Sequence, residues 1–231
     1  MALVQYNNEH GRLRKIALYR PSLGEIEQTD AKGAMYISIP DPLKVLEEFD
    51  RIVEKFRALD VEVIVLQQGD NTLVTSNMIY LRDVAFAFRD SLLLANMKHP
   101  LRQNEPAKFK QLLVAQDPDY VNVLISANSD VSMEGADLFA LNTQGVYAYI
   151  GSRTDRAIVP ILKAKFPGVS VITIHANIHG VPQHILGGVH ILDNNLASRR
   201  VQYCTDVLAD YRFIDFEEDE EITKGFSLNI V

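Results

Sequence analysis

Asn77-Met78-Ile79-Tyr80-Leu81-Arg82-Asp83 is the first of four short motifs whose order decides how this chain is read. It is followed by Met133-Glu134-Gly135-Ala136-Asp137, Gly151-Ser152-Arg153-Thr154 and Gln183-His184-Ile185-Leu186-Gly187. Each motif alone is ordinary. An aspartate after an arginine is commonly a strand-end or salt-bridged residue, and acidic residues beside glycine make everyday turns. A histidine among apolar neighbours is more often packed in a core. The information lies in the ordered, joint occurrence of the four.

Around these motifs the sequence is that of an ordinary globular protein. Its 231 residues, 47% hydrophobic and 23% charged, are enough to bury one sizeable core, so a single domain over residues 1–231 is expected. The net charge of -7 and pI near 5.4 argue against a general nucleic-acid binder, whose affinity rests on a basic surface. The only cysteine, Cys204, excludes an intramolecular disulfide framework and a cysteine-rich zinc site. Met1 to Gly11 carries Asn7, Asn8, Glu9 and His10, unlike a signal segment. No apolar run approaches the roughly 20 residues that span a bilayer, so a cytoplasmic protein with no membrane partner is expected.

Strand and helix signals alternate along the chain. Arg14 to Tyr19 reads as a strand, and Asp41-Pro42 offers an N-cap with proline at the first helical position. Leu46, Phe49, Val53 and Phe56 then follow at helical spacing, and Val61 to Leu66 has the β-branched content of a strand. Phe86 to Asn96 is strand material, Glu105 to Ala115 a helix and Val121 to Ser126 a strand. The rhythm repeats with a strand at Val146 to Ile150, a helix over Thr154 to Lys165 and a strand at Val169 to Ile174. A helix around Val201 to Ala209 and strands at Tyr211 to Phe216 and Phe226 to Val231 complete it. Such alternation supports an α/β fold without choosing between a doubly wound sheet and a repeated ring. The acidic run Glu217 to Glu221 reads as a solvated turn.

In order and spacing, the four motifs resemble the arginine deiminase branch of the guanidino-group-modifying enzymes, the pentein superfamily. The resemblance implies a pseudo-fivefold α/β propeller of ββαβ-type modules, each of roughly fifty residues, around a central site. About four modules and the start of a fifth fall within the sequence. The last module is therefore expected to be incomplete: either a homo-oligomeric copy or a second chain closes the ring, or the ring is remodelled, or the sequence is a piece of a longer coding unit.

The same resemblance implies roles for particular residues. A guanidinium is planar, charged and rich in N–H donors, so a site for it needs carboxylates that accept paired hydrogen bonds. Asp83 and Asp137 are expected to be that clamp, with Asn77 beside it and Tyr80 lying against the cation. Glu134 is expected next to the reacting carbon, and His184 to carry protons to the leaving amine and from water. Arg102 and Arg153 resemble the residues that hold a substrate α-carboxylate, which favours free arginine over a peptide-borne guanidino group.

Three departures from the family pattern stand out. Ala136 replaces a second glycine, and Leu186 stands where arginine deiminases carry a further aspartate. The family's attacking cysteine lies near its C-terminus, whereas Cys204 is expected in the outer helix of the fourth module as a structural residue, so no nucleophile is identified. His175, His179 and His190 do not form a zinc-binding spacing with His184, and neither metal nor organic cofactor is expected. The expected function is an arginine deiminase-like guanidino hydrolase acting on free arginine or a close analogue. An amidinotransferase, or a non-catalytic pentein that binds arginine or a protein partner, is the alternative.

Overall fold

Asp41 starts the longest helix: its side chain accepts hydrogen bonds from the backbone N–H groups of Leu43 and Lys44, with Pro42 in the first turn. The computed structural model describes residues 3–27, 38, 40–68, 76–126, 130–174, 184–200, 208 and 210–217. Its first sheet is a parallel pair, β1 (Lys15–Arg20) and β2 (Glu62–Gln67). Between them lie α1 (Leu23–Glu27) and α2 (Pro42–Ala58). Asp60 ends this crossover at φ 58°, the left-handed region that aspartate tolerates better than most residues.

The second sheet follows α3 (Leu81–Val84) and holds β3 (Ala85–Phe88) and β4 (Ser91–Leu94). Beyond α4 (Glu105–Gln116) comes its third strand, β5 (Leu124–Ser126). The third sheet holds β6 (Leu138–Asn142), β7 (Gly145–Tyr149) and, after α5 (Ile158–Lys165), β8 (Ser170–Ile174). The fourth holds β9 (Val189–Asp193), β10 (Leu196–Arg200) and β11 (Arg212–Phe216). In all three of these sheets the first strand runs antiparallel to the second and the second parallel to the third. A parallel step needs a long crossover, and α4 and α5 supply it in the second and third sheets. This is the ββαβ unit that the family resemblance implies.

Apolar clusters fill the spaces between successive sheets. Tyr19 and Leu66 meet Val84, Leu94, Phe109 and Leu113 between the first and second. Phe86, Phe88 and Leu93 meet Leu138, Val146, Ile158 and Phe166 between the second and third, with Phe88 and Phe166 edge-to-face at 5.0 Å. Phe139, Tyr147 and Tyr149 meet Val189, Ile191 and Ala197 between the third and fourth. A sheet covered on both faces needs apolar residues on both. That is why all of β7 is buried and reads as a continuous apolar run rather than an alternating one.

Some expected elements differ. Val121 to Ser126 is a strand only from Leu124, because Pro118–Val123 forms a 3-10 turn started by Pro118 and by the Asp117 side chain, which accepts from the N–H of Asp119. The helix expected from Thr154 begins at Ile158, and β6 has no counterpart among the expected elements. The helix expected around Val201 to Ala209, apart from a buried Leu208, and the strand at Phe226 to Val231 lie outside the described residues, as does Cys204. Among the described residues, no helix is long and apolar enough to cross a membrane.

Candidate active site

A single helical turn precedes the first strand of each three-stranded sheet. Before β3 it is α3, which carries Asp83. Before β6 it is the 3-10 turn Gly135–Asp137, with Glu134 at its start and Asp137 at its end. Before β9 it is the 3-10 turn Ile185–Gly187, entered through His184. The charged residues of three motifs thus occupy related positions in successive modules, and stacking of the sheets brings those turns to one place.

Gly135 shows how close the turns come. A Cβ at this position would stand 2.4 Å from the Arg82 carbonyl oxygen and 2.5 Å from that of Ala85, with no flexible side chain to give way. Glycine is needed here for the approach of two backbones, not for a left-handed φ. Ala136, the departure from the family motif, is buried and has no positive φ, so alanine fits there without backbone strain.

Glu134 lies at the centre and is fully buried. One of its oxygens is 2.7 Å from His184 Nε2, and the other accepts from the Lys98 backbone N–H at 3.1 Å. Arg153 Nη1 lies 3.4 and 3.5 Å from the two oxygens. On the other side of the imidazole, His184 Nδ1 is 3.6 Å from Asp83 Oδ1. Asp137 accepts from the Thr154 hydroxyl at 2.7 Å and from the Ile185 N–H at 3.4 Å. The same Thr154 oxygen accepts from the Glu134 N–H at 3.1 Å, which ties the two acidic residues of one motif together.

Of the expected site residues, Asp83, Glu134, Asp137, Arg102, Arg153 and His184 come together. Arg102 does so in an unexpected way. It is 3% exposed, and its guanidinium donates to Asp83 at 2.7 Å, to Glu105 at 2.9 Å and to the Asn77 carbonyl at 3.3 Å. Asn77 is buried and joins the group through that carbonyl, while Tyr80 stands 44% exposed where α3 begins. Leu186, partly buried, packs against the apolar cluster around Phe139. Glu105 is a residue the sequence reading missed. Its signal was the i, i+3 spacing from Arg102 at the start of a helix.

Electrostatics follow from this crowding. Burial pulls the His184 pKa down, but the charge of Asp83, the hydrogen bond to Glu134 and the charges of Asp137 and Glu134 outweigh it and push it up to about 9. Burial likewise raises Glu134, yet His184, Arg153 and the Lys98 N–H together hold it below the ordinary value. Asp137 goes the other way: burial, with the charge of Glu134 added, pushes it up to about 6 against the pull of His184 and Thr154. At neutral pH His184 is therefore an imidazolium between two carboxylates. The carboxylates Asp83, Glu105, Glu134 and Asp137 face the cations Arg102, Arg153 and His184, and the surplus negative charge suits a cationic ligand.

Asp83, Glu134 and His184 present ligand-type atoms within 4.8 Å of one another. Metal ligation there would first have to remove the proton that holds His184 to Glu134.

A family model described as N,N dimethylarginine dimethylhydrolase, eukaryotic, matches residues 41–197, the span that holds every site residue named above. No curated protein matches the chain. Among solved structures, the N-terminal domain of ArgZ bound to product, an arginine dihydrolase from the ornithine-ammonia cycle in cyanobacteria, is similar with a TM-score of 0.74 at 14% identity. That match covers 95% of this chain and 80% of that one. DDAH from Pseudomonas aeruginosa, a mutant complexed with citrulline, gives 0.69 at 15% identity over 89% and 76% of the two chains. SxtG, an amidinotransferase from Microseira wollei, gives 0.67 at 12% identity over 92% and 75%.

Proposed function

Because the chain belongs to the N,N dimethylarginine dimethylhydrolase family, within the pentein superfamily of guanidino-modifying enzymes, we propose that it takes the guanidino group of free arginine or a close analogue, such as an N-methylated arginine. The observation that carries this reading is the meeting of Asp83, Glu134 and His184, drawn from three successive modules, around one point.

The geometry supports the following roles. Asp83 and Asp137 accept paired hydrogen bonds from the guanidinium, and Tyr80 closes over its face. His184 arrives protonated, since Glu134 at 2.7 Å and Asp83 at 3.6 Å favour the imidazolium. Once a thiol has added to the guanidinium carbon, His184 gives that proton to the departing amine and, now neutral, takes one from the water that displaces the thiol. Glu134 holds the imidazolium in place and offers its charge to the bound guanidinium. Arg153, beside Glu134 and partly open to solvent, is the residue that meets the substrate's α-carboxylate. Arg102, committed to Asp83 and Glu105, fixes the clamp instead.

The reaction of this reading is hydrolysis at the guanidinium carbon: arginine and water give citrulline and ammonia. Transfer of the amidino group to an amine is its chemical variant and leaves ornithine. Neither route calls for an organic cofactor or a metal. Family chemistry passes through a thiol; the chain's one cysteine, Cys204, is expected to be structural, so Cys204→Ser should leave arginine binding unchanged, and loss of turnover in that variant would instead make it the nucleophile.

The decisive assay is L-arginine turnover by the purified chain and its Cys204→Ser variant, following citrulline, ornithine and ammonia separately, with arginine and agmatine affinities measured by calorimetry. Equal amounts of citrulline and ammonia support hydrolysis, and ornithine formed only when an acceptor amine is added supports transfer. Arginine binding without product favours a non-catalytic pentein. Agmatine lacks the carboxylate and should bind more weakly by roughly 1.5–3 kcal/mol. Equal affinities would remove the role given to Arg153.

A further inference from the structure

Arg82 adjoins Asp83 in sequence but stays out of the charged cluster. Its Nη2 donates to Glu9 at 3.0 Å and to the carbonyl of Leu138 at 2.8 Å. Leu138 is the residue after Asp137, so one guanidinium reaches from the turn that carries one clamp aspartate to the end of the turn that carries the other. The Arg82 guanidinium also lies over the rings of Tyr6 and Phe86, 5.5 and 5.6 Å from their centroids.

Glu9 completes the tie. The oxygen that accepts from Arg82 also accepts from the Ala140 N–H at 2.8 Å, and the other accepts from the Tyr6 hydroxyl at 2.5 Å. Tyr6 is itself anchored by paired backbone hydrogen bonds with Arg89, at 2.8 and 2.7 Å. The Glu9 side chain is only 12% exposed. Exposed ion pairs contribute little because solvent and side-chain freedom compete with them. Here the carboxylate is largely out of water and held by three donors from three parts of the chain, so its position is well determined.

We propose that Arg82, held by Glu9, is a positioning residue that sets the distance between Asp83 and Asp137, and that the N-terminal segment is thereby part of the guanidinium site's framework. The inference rests on reading those two carboxylates as the clamp. Paired hydrogen bonds to a planar cation need both acceptors within about 0.5 Å of their proper places. The backbone contact at Gly135 blocks closer approach of the two turns, and the Arg82 bond to Leu138 opposes their separation. With both in place, neither aspartate has to be drawn in by the ligand.

The test is calorimetric titration of the full chain with L-arginine, paired with thermal melts, for wild type, Arg82→Gln, Arg82→Lys and Glu9→Gln. Arg20→Gln, which removes an exposed pair with Asp50, is the control. At a temperature well below every melt, Arg82→Gln is expected to bind arginine about tenfold more weakly and Glu9→Gln about threefold. Arg82→Lys should recover part of the loss, while the control binds as wild type. An Arg82→Gln protein that melts earlier yet binds arginine normally would show a strap with no positioning role and overturn the proposal. If that variant does not fold, Glu9→Gln decides alone, since it removes the charge that holds the Arg82 guanidinium against Leu138: a loss supports the proposal and wild-type affinity overturns it. A wild-type chain that binds no arginine would instead defeat the clamp assignment itself, and this inference with it.

Discussion

Asp137 is a carboxylate kept where ionising it is costly. Its folded pKa of about 6 lies above the ordinary 3.8, so the folded state binds that proton more tightly than the unfolded state. The stability this contributes is fully present below about pH 3.8 and is lost as pH rises through about 6. At pH 7 the ionised side chain costs stability, which the proposed clamp role would account for. Asp137→Asn should therefore be more stable than wild type by about 1–3 kcal/mol at pH 7, with the difference vanishing near pH 4, in urea denaturation at the two pH values. On the proposed clamp role, arginine affinity should rise as pH passes upward through about 6, because Asp137 accepts both hydrogen bonds only as the carboxylate. His184 has the same sign of shift with the opposite charge outcome. Its stabilising contribution is complete below about pH 6.5 and is lost as pH climbs through about 9, so wild type should lose stability over that window while His184→Gln stays flatter.

The turns and helices differ in how much of their cause lies nearby in sequence. Gly135→Ala should destabilise by about 3 kcal/mol or more, because the added methyl meets two backbone carbonyls that cannot swing aside. Ala136→Gly, one residue on, should cost only about 0.5–1 kcal/mol of backbone entropy. Equilibrium denaturation of the two variants distinguishes close approach from a need for glycine's φ. Asp41→Ala should cost about 0.5–2 kcal/mol by removing the α2 cap. That helix was legible in the sequence because its cap, its proline and its apolar spacing are all local. Val121 and Val123 suggested a strand by β-branching, but the Asp117 cap and Pro118 impose a 3-10 turn on them first. β6 went unread because Leu138 to Leu141 follow directly on a motif, with no punctuation between site and strand.

At the scale of the whole molecule, the site is the place where the module repeat brings its leading turns together. Glu134 and His184, 50 residues apart, meet because that separation is about one module. This much could be read from the order of the motifs, and it is why Asp83, Glu134, Asp137 and His184 could be named together. What could not be read were the pairings that secure them. Glu9 and Arg82 are 73 residues apart with no pattern linking them, and the commitment of Arg102 to Asp83 becomes visible only once α4 is packed beside α3. Charged residues reveal their type in a sequence, whereas the choice among possible partners belongs to the fold. The most direct test of a guanidinium site at this meeting point is titration of the full chain with L-arginine at pH 7.5, beside Asp137→Asn, a variant expected to be folded and more stable. Saturable binding to the wild type, weakened about tenfold or more in Asp137→Asn, is the expected result. Absence of saturable binding to the wild type, or the same affinity in both proteins, would contradict it.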